Sequence, residues 1–110
     1  MNVLEDKFLK NKELLENNIC GKKIVKINYI HDYLQIFFDD NSILNLNNKV
    51  TMSGNIDLVI DKIIKNVILN NEILKLISVN DFVIEMTMKH EDYNGPEALE
   101  YYNGDLIIIE

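Results

Sequence analysis

The chain of 110 residues contains no arginine and no tryptophan, and it has one cysteine and one proline. Arginine is the side chain that holds phosphate with a planar fork, and the net charge is −7, so nucleic acid would be repelled. The single cysteine, Cys20, excludes an internal disulfide. Its apolar neighbour Ile19 favours a small buried side chain over a reactive thiol.

Long hydrophobic runs are also missing. No apolar stretch reaches the ~20 residues that a membrane helix requires, and the charged start from Glu5 has no signal-peptide core. We therefore expect a cytoplasmic protein that does not bind a membrane. A content of 47% hydrophobic residues favours one globular domain, residues 1–110. The acidic charge suits a basic protein partner, although it also serves solubility alone.

One part of the chain resembles another part 49 residues later. Five identities, including Ile24 with Ile73, fall within the 22 positions of residues 13–34. Self-similarity at a fixed spacing indicates repeated structural units. We expect an α+β fold of two pseudo-repeated helix-β-β-β units, residues 2–47 and 55–110. They would form a curved antiparallel sheet or small open barrel with two helices.

The first unit is predicted from its periodicity. Apolar residues at helical spacing predict a helix over residues 2–17. Alternation predicts strands over residues 22–30, 33–38 and 43–46, with a bulge or twist in the first of these. Asp39-Asp40-Asn41-Ser42 is typical of the turn between the last two strands.

The second unit leaves one alternative open. Residues 56–67 have helical spacing, but their β-branched side chains also fit a strand pair that turns at Asn70-Asn71. Strands are predicted over residues 72–79 and 82–88, with a bulge or a gapped alignment of the two units near Val83, because the apolar face is shifted by one position relative to the first unit. Asn103-Gly104 predicts a hairpin before a short closing strand.

Three segments carry a resemblance to known proteins: Ile19-Cys20-Gly21-Lys22-Lys23-Ile24, Leu34-Gln35-Ile36-Phe37-Phe38-Asp39-Asp40 and Tyr93-Asn94-Gly95-Pro96-Glu97-Ala98-Leu99. They resemble small, mostly uncharacterised bacterial proteins with a glycine-lysine opening and a strand ending in Phe-x-Asp-Gly, often present twice. Some of those proteins resemble immunity proteins, which bind and block a toxin. The resemblance implies a protein-binding role and supplies no catalytic residue. Asn41 stands where the pattern has glycine.

Two clusters could bind a metal or transfer protons: His31-Asp32 and His90-Glu91-Asp92. Their spacing matches no known ligand pattern, and polar residues that are adjacent in sequence are typical of solvated turns. Asp39-Asp40 lacks the alternating oxygen ligands of a calcium loop. We expect no catalytic residue, no metal ligand and no cofactor, and hence a protein that is not an enzyme.

The functional hypothesis rests on residues 89–103, which combine acids with tyrosines around Gly95-Pro96. Tyrosine is enriched at interfaces, and acids complement a basic partner. The candidate partner-binding residues are Glu91, Asp92, Tyr93, Glu97, Glu100, Tyr101 and Tyr102. The alternative is that the rings lie in the core.

The favoured function is a non-catalytic, immunity-type binding protein that neutralises a basic toxin domain. Two alternatives stay open. One is a structural or self-associating module, such as a homodimer formed through an exposed strand edge. The other, which is less favoured, is a small metal-dependent enzyme using His31 and His90.

Overall fold

The computed structural model describes residues 3–30 and 33–109. That part of the chain contains one α-helix and nine strands, and the strands form two antiparallel sheets around one core. This confirms the predicted α+β class. The elements are α1 (Val3–Ile19), β1 (Ile24–Ile30), β2 (Tyr33–Phe38), β3 (Ile43–Leu46), β4 (Val50–Met52), β5 (Ile64–Leu69), β6 (Ile73–Ser78), β7 (Val83–Thr87), β8 (Leu99–Asn103) and β9 (Asp105–Ile109).

The two sheets exchange strands. One has the order β1-β2-β3-β8-β9 and the other the order β4-β7-β6-β5. Strand β4 follows β3 in the chain but pairs with β7, and β8 follows β7 but pairs with β3. An antiparallel bridge between Lys23 and Ile63 joins the two sheets where β1 and β5 begin.

Period-two patterning places the core. Leu34, Ile36 and Phe38 of β2 are buried, and so are Ile84 and Met86 of β7, while the residues between them are half-exposed. This is the alternation expected of antiparallel sheets with one face on the core and the other in solvent. Helix α1 packs against β5 and contributes Leu15 and Ile19 to the same core.

The predicted second helix is wrong. Only Ile56–Leu58 is helical there, as a single 3-10 turn, and the chain continues into strand β5. The alternative, a strand pair turning at Asn70-Asn71, is confirmed by the β5-β6 hairpin. Asp61, at φ 70°, takes the left-handed conformation that ends a helical path, and the β-branched residues after it favour a strand.

The two helix-containing units at a spacing of 49 residues are not confirmed, because no second α-helix accompanies α1 in the described part of the chain. Backbone features correspond instead at a spacing of 40. A β-bulge at Ile24/Lys26 is matched by one at Ile64/Asn66. The β6-β7 ladder runs without a register shift, so the bulge expected near Val83 is absent. The one-position shift arises from the wrong spacing.

The backbone hydrogen bonds around the inter-sheet bridge show the same correspondence. Gly21 N donates to Ile64 O at 2.8 Å, and Asp61 N donates to Ile24 O at 2.7 Å. Gly21 and Asp61, 40 residues apart, both have positive φ, at 89° and 70°. The end of α1 and the 3-10 turn Ile56–Leu58 therefore occupy equivalent places, each leading into the first strand of a three-strand meander.

Candidate partner-binding surface

The predicted partner-binding residues separate into three groups. Glu91 and Asp92 are exposed on a 3-10 turn, His90–Asp92. Glu97, Glu100 and Tyr102 are half-buried, as is Tyr93, which also packs against the core. Tyr101 is 0% exposed and lies in the core, which is the alternative placement that the sequence analysis gave for the tyrosine rings. The candidate surface therefore consists of the other six residues.

Two asparagines that follow β3 hold the segment between β7 and β8. Asn48 is buried and donates to Thr87 O at 2.7 Å, while its side-chain oxygen accepts from Asn94 N at 3.3 Å. Asn47 Nδ2 donates to Glu97 O at 3.2 Å and to Glu100 Oε1 at 3.1 Å. These bonds fix the acidic segment against the five-stranded sheet and give it a defined shape.

The outer face of the five-stranded sheet adds side chains that the sequence did not assign to the site. Register places Gln35 opposite Asn45, and Asn45 opposite Glu100. Gln35 Nε2 donates to Asn45 Oδ1 at 3.0 Å and to the Tyr33 hydroxyl at 3.2 Å. We call this set, completed by Glu100 and Tyr102, the outer-face network; its members are Tyr33, Gln35, Asn45, Glu100 and Tyr102.

Glu100 is the electrostatic centre of the outer-face network. The Tyr102 hydroxyl donates to Glu100 Oε2 at 2.8 Å, and this hydrogen bond, with smaller contributions that include the charge of Glu97, raises the pKa of Tyr102. Burial, followed by the charge of Glu100, raises the pKa of Tyr33. Both shifts favour neutral phenols beside a negative charge. The surface therefore presents the Glu100 carboxylate together with two tyrosines that stay protonated.

A second polar cluster lies at the start of β1 and has a structural role. The Lys22 ammonium pairs with the Asp40 carboxylate and donates to the Tyr101 hydroxyl at 3.1 Å. Asp40 also accepts from the Ser42 backbone N–H at 3.0 Å and from its hydroxyl. Although partial burial acts in the opposite direction, the bonds from Lys22 and Ser42 lower the pKa of Asp40 to about 2. Asp39-Asp40-Asn41-Ser42 is thus a turn, as predicted.

The remaining candidate groups are the two histidine clusters and Cys20. His31 and Asp32 lie outside the described residues, and His90 is exposed with its ring 5.5 Å from that of Tyr93. No three His, Cys, Asp or Glu side chains among the described residues are grouped to hold a metal ion. Cys20 is half-buried; burial, and then the charge of Glu16, raises the pKa of its thiol.

A helix long and apolar enough to cross a membrane is absent from residues 3–30 and 33–109. Comparison of the chain with models of protein families, with curated proteins and with solved structures gives no significant match.

Of the site, the sequence missed Tyr33, Gln35, Asn45 and the two anchoring asparagines. Tyr33 and Gln35 are two positions apart on one strand and therefore share a face, which periodicity alone could have shown. Their approach to Glu100 depends on the β3-β8 pairing, which joins segments more than fifty residues apart. The local sequence pattern of β3 or of β8 does not predict that these two strands pair.

Proposed function

We propose that this protein is a non-catalytic binding protein of the immunity type, which captures a basic protein domain on the outer-face network and the adjoining acidic segment. One observation carries the proposal: Glu100 lies in a fixed position between Tyr102 and Asn47, with two neutral tyrosines beside it. Tyrosine side chains and a half-buried carboxylate, here that of Glu100, are suited to bind a lysine or arginine side chain of a partner.

The arrangement favours binding because it is already ordered. Cross-strand pairing fixes Gln35, Asn45 and Glu100 on three adjacent strands, and hydrogen bonds restrict their side chains before any partner arrives. Side-chain ordering is a major cost of association, and a preformed surface reduces it. The net charge of −7 would further attract a basic domain and accelerate the encounter.

Affinity capture from the native host tests the proposal, using immobilised wild-type protein, Glu100→Gln and the matched control Glu72→Gln. Glu72 is exposed and lies at the β5-β6 hairpin, in the other sheet. We expect wild type and Glu72→Gln to retain one basic protein at low salt, with retention falling as salt rises. Glu100→Gln should retain several-fold less. Capture of no basic protein at low salt, or equal capture by all three, would contradict the proposal.

Self-association is a second candidate, favoured by strand β9 at the edge of the five-stranded sheet. Leu106 and Ile107 of this strand are 47% and 39% exposed. An edge strand with exposed apolar side chains can pair with another copy. Native mass measurement over a range of concentrations decides this candidate, since a strict monomer at high concentration would remove it.

We also infer that the chain arose from two copies of one meander, with equivalent residues 40 apart. Equivalent bulges, equivalent inter-sheet hydrogen bonds and equivalent positive-φ residues support the inference. The copies differ in what precedes the meander, which is a helix of 17 residues in one case and a single 3-10 turn in the other. A homologue with two full helices, or with one meander only, would test the inference.

A further inference from the structure

Two asparagine-glycine pairs lie in the last part of the chain, Asn94-Gly95 and Asn103-Gly104. In such a pair, the backbone nitrogen of the glycine can attack the side-chain amide carbon of the asparagine and close a five-membered succinimide ring. Glycine favours this attack because it has no side chain to obstruct the ring and reaches backbone conformations closed to other residues. Each pair is therefore a candidate for deamidation, a modification of asparagine that requires only water.

Hydrogen bonds restrain the first pair. Asn94 Nδ2 donates to Asn47 O at 3.1 Å, and Asn94 N donates to the side-chain oxygen of the buried Asn48 at 3.3 Å. The Nδ2 bond must break before the amide group can turn toward Gly95 N, and the second bond holds the backbone in place. Breaking such bonds costs free energy, so the fold opposes the reaction at Asn94.

The second pair lacks these restraints. Asn103 is exposed at the end of β8, and its side chain makes no hydrogen bond with another described residue. Gly104 N donates no hydrogen bond to any residue in the described part of the chain. No heavy atom would lie within 4 Å of a Cβ added to Gly104, so the space beside it is open. The attacking nitrogen and the amide carbon are therefore both accessible at this hairpin tip, where local opening costs least.

A third asparagine shows that exposure alone is not sufficient. Asn41 is exposed and precedes a small residue, Ser42. Ser42 N, the nitrogen that would attack, donates instead to Asp40 Oδ1 at 3.0 Å, and Ser42 is 0% exposed. The nucleophile is thus engaged at this turn. Comparison of the three sites singles out Asn103, where neither reacting group is held.

We propose that Asn103 is a site of spontaneous deamidation, at which the folded chain converts to aspartate and β-linked aspartate. Gly104 N loses its proton to solvent hydroxide and attacks Asn103 Cγ. The N–Cγ bond forms, the Cγ–Nδ2 bond breaks, and ammonia leaves. Water then opens the succinimide at either carbonyl and restores the Gly104 N–H. The sequence consumes water, releases ammonia and changes no oxidation state, and it does not depend on partner binding.

The products would act on the β8-β9 hairpin. Asn103 pairs directly with Asp105, so an aspartate at position 103 places two carboxylates opposite each other. Like charges directly opposite each other destabilise an antiparallel pair. The β-linked product inserts an extra carbon into the backbone at a tight turn and disturbs the register of the pairing. Either product should loosen β9, which lies at the edge of the five-stranded sheet.

Incubation of the full-length protein at neutral and mildly alkaline pH tests the proposal, with ammonia release and peptide mass analysis as the measurements. The folded chain should react at least tenfold faster at Asn103 than at Asn94, and the rate should rise with pH. In concentrated guanidinium chloride both pairs lose their surroundings, so the two rates should approach each other. Asn103→Gln should abolish the fast release of ammonia, while Asn71→Gln, at an exposed position in the β5-β6 hairpin, should not.

Two outcomes would overturn Asn103 as the site. One is equal rates at Asn103 and Asn94 in the folded protein. The other is a folded chain that stays unmodified at Asn103 over a period in which the unfolded chain reacts at both pairs.

The effect on the hairpin is measured by hydrogen exchange in β9, on aged wild type and on Asn103→Asp. Exchange should be several-fold faster in both than in fresh wild type. Asn71→Asp adds the same charge to a hairpin of the other sheet and should leave exchange in β9 unchanged. Exchange in β9 that is the same in aged and fresh wild type would overturn the proposed loosening.

Discussion

Asn47 Nδ2 lies 3.1 Å from Glu100 Oε1 and 3.2 Å from Glu97 O, so one side chain fixes both ends of the turn that enters β8. The Asn47 backbone N–H adds a third bond, to Ala98 O at 2.8 Å. The position of the Glu100 carboxylate thus depends on a residue that follows β3.

Asn47→Ala should free the acidic segment without unfolding the sheets. Loss of two side-chain hydrogen bonds is expected to cost about 1–2 kcal/mol of unfolding free energy. Denaturant titration gives the free energy, and hydrogen exchange should show faster exchange in residues 94–100. Asn71→Ala, at an exposed position in the β5-β6 hairpin, is the matched control and should change neither quantity. Unchanged exchange in Asn47→Ala would contradict the anchoring role.

The lowered pKa of Asp40 predicts that the unfolding free energy falls at acid pH; we call this part of the pH dependence the acid limb. Its pKa of about 2 in the folded protein is below the ordinary value of 3.8. A carboxylate with a lowered folded pKa contributes stability above its unfolded pKa and loses it as pH falls. We therefore expect part of the unfolding free energy to disappear between about pH 4 and pH 2. The loss should be modest because the pair is partly exposed.

Asp40→Asn should flatten that limb by removing the Lys22 partner, and thermal melts across the pH range measure it. Asp57→Asn, at an exposed position, serves as the control and should retain the limb. The same pH dependence in both variants would exclude Asp40 as its source.

Gly21 predicts a cost that arises from backbone conformation alone. Its φ is 89°, and no heavy atom would lie within 4 Å of an added Cβ. Gly21→Ala should therefore destabilise the protein by about 1–2 kcal/mol, the cost of a left-handed alanine. Gly95→Ala is a suitable control, because Gly95 has equal space and no positive φ. Equal shifts of the denaturant midpoint in Gly21→Ala and Gly95→Ala would contradict a cost from the positive φ of Gly21.

Asp61 gives the opposite prediction at the equivalent place. This non-glycine residue has φ 70°, so Asp61→Gly should relieve strain and raise the unfolding free energy by up to about 1 kcal/mol. A comparison with Asp57→Gly, in the preceding 3-10 turn, separates relief of strain from the added flexibility of glycine. The turn variant should be destabilised.

Tyr102 reports the charge on Glu100. Because their hydrogen bond raises the pKa of Tyr102, Glu100→Gln should lower that pKa toward its ordinary value. Tyrosine ring shifts followed by NMR between pH 9 and pH 12 measure the titration, and Tyr33 should respond in the same direction through space. Glu72→Gln should leave both titrations where they are in wild type.

Local patterning in the sequence was sufficient for most strands. Alternation over residues 33–38 matches β2 at both ends, because only one face of that strand meets the core. The prediction of a helix over residues 56–67 was wrong because Ile and Val at three- and four-residue spacing fit a buried helix or a bulged strand equally well. The positive φ of Asp61 decides between the helix and the strand. An aspartate in the sequence does not predict a positive φ, whereas a glycine often does.

The backbone correspondence at a spacing of 40 residues was hidden for a related reason. Gly21 corresponds to Asp61 and Asn41 to Asp81, so equivalent backbone conformations are supplied by different residue types. The five identities at a spacing of 49 residues, within residues 13–34, were the more visible pattern in the sequence. The candidate surface was only half predicted, since Glu100 and Tyr102 lie on one strand while Gln35 reaches them through a long-range pairing.

The exchange of β4 and β8 between the sheets makes the chain a natural candidate for fragment complementation. A cut at Gly54 would leave β4 on the first piece and β8 with β9 on the second, so each piece would keep the strand that completes the other's sheet. Neither piece could satisfy its own edge alone. Assembly of the two should therefore be cooperative and obligatory, and fusions to the cut ends would make their reunion a reporter of proximity.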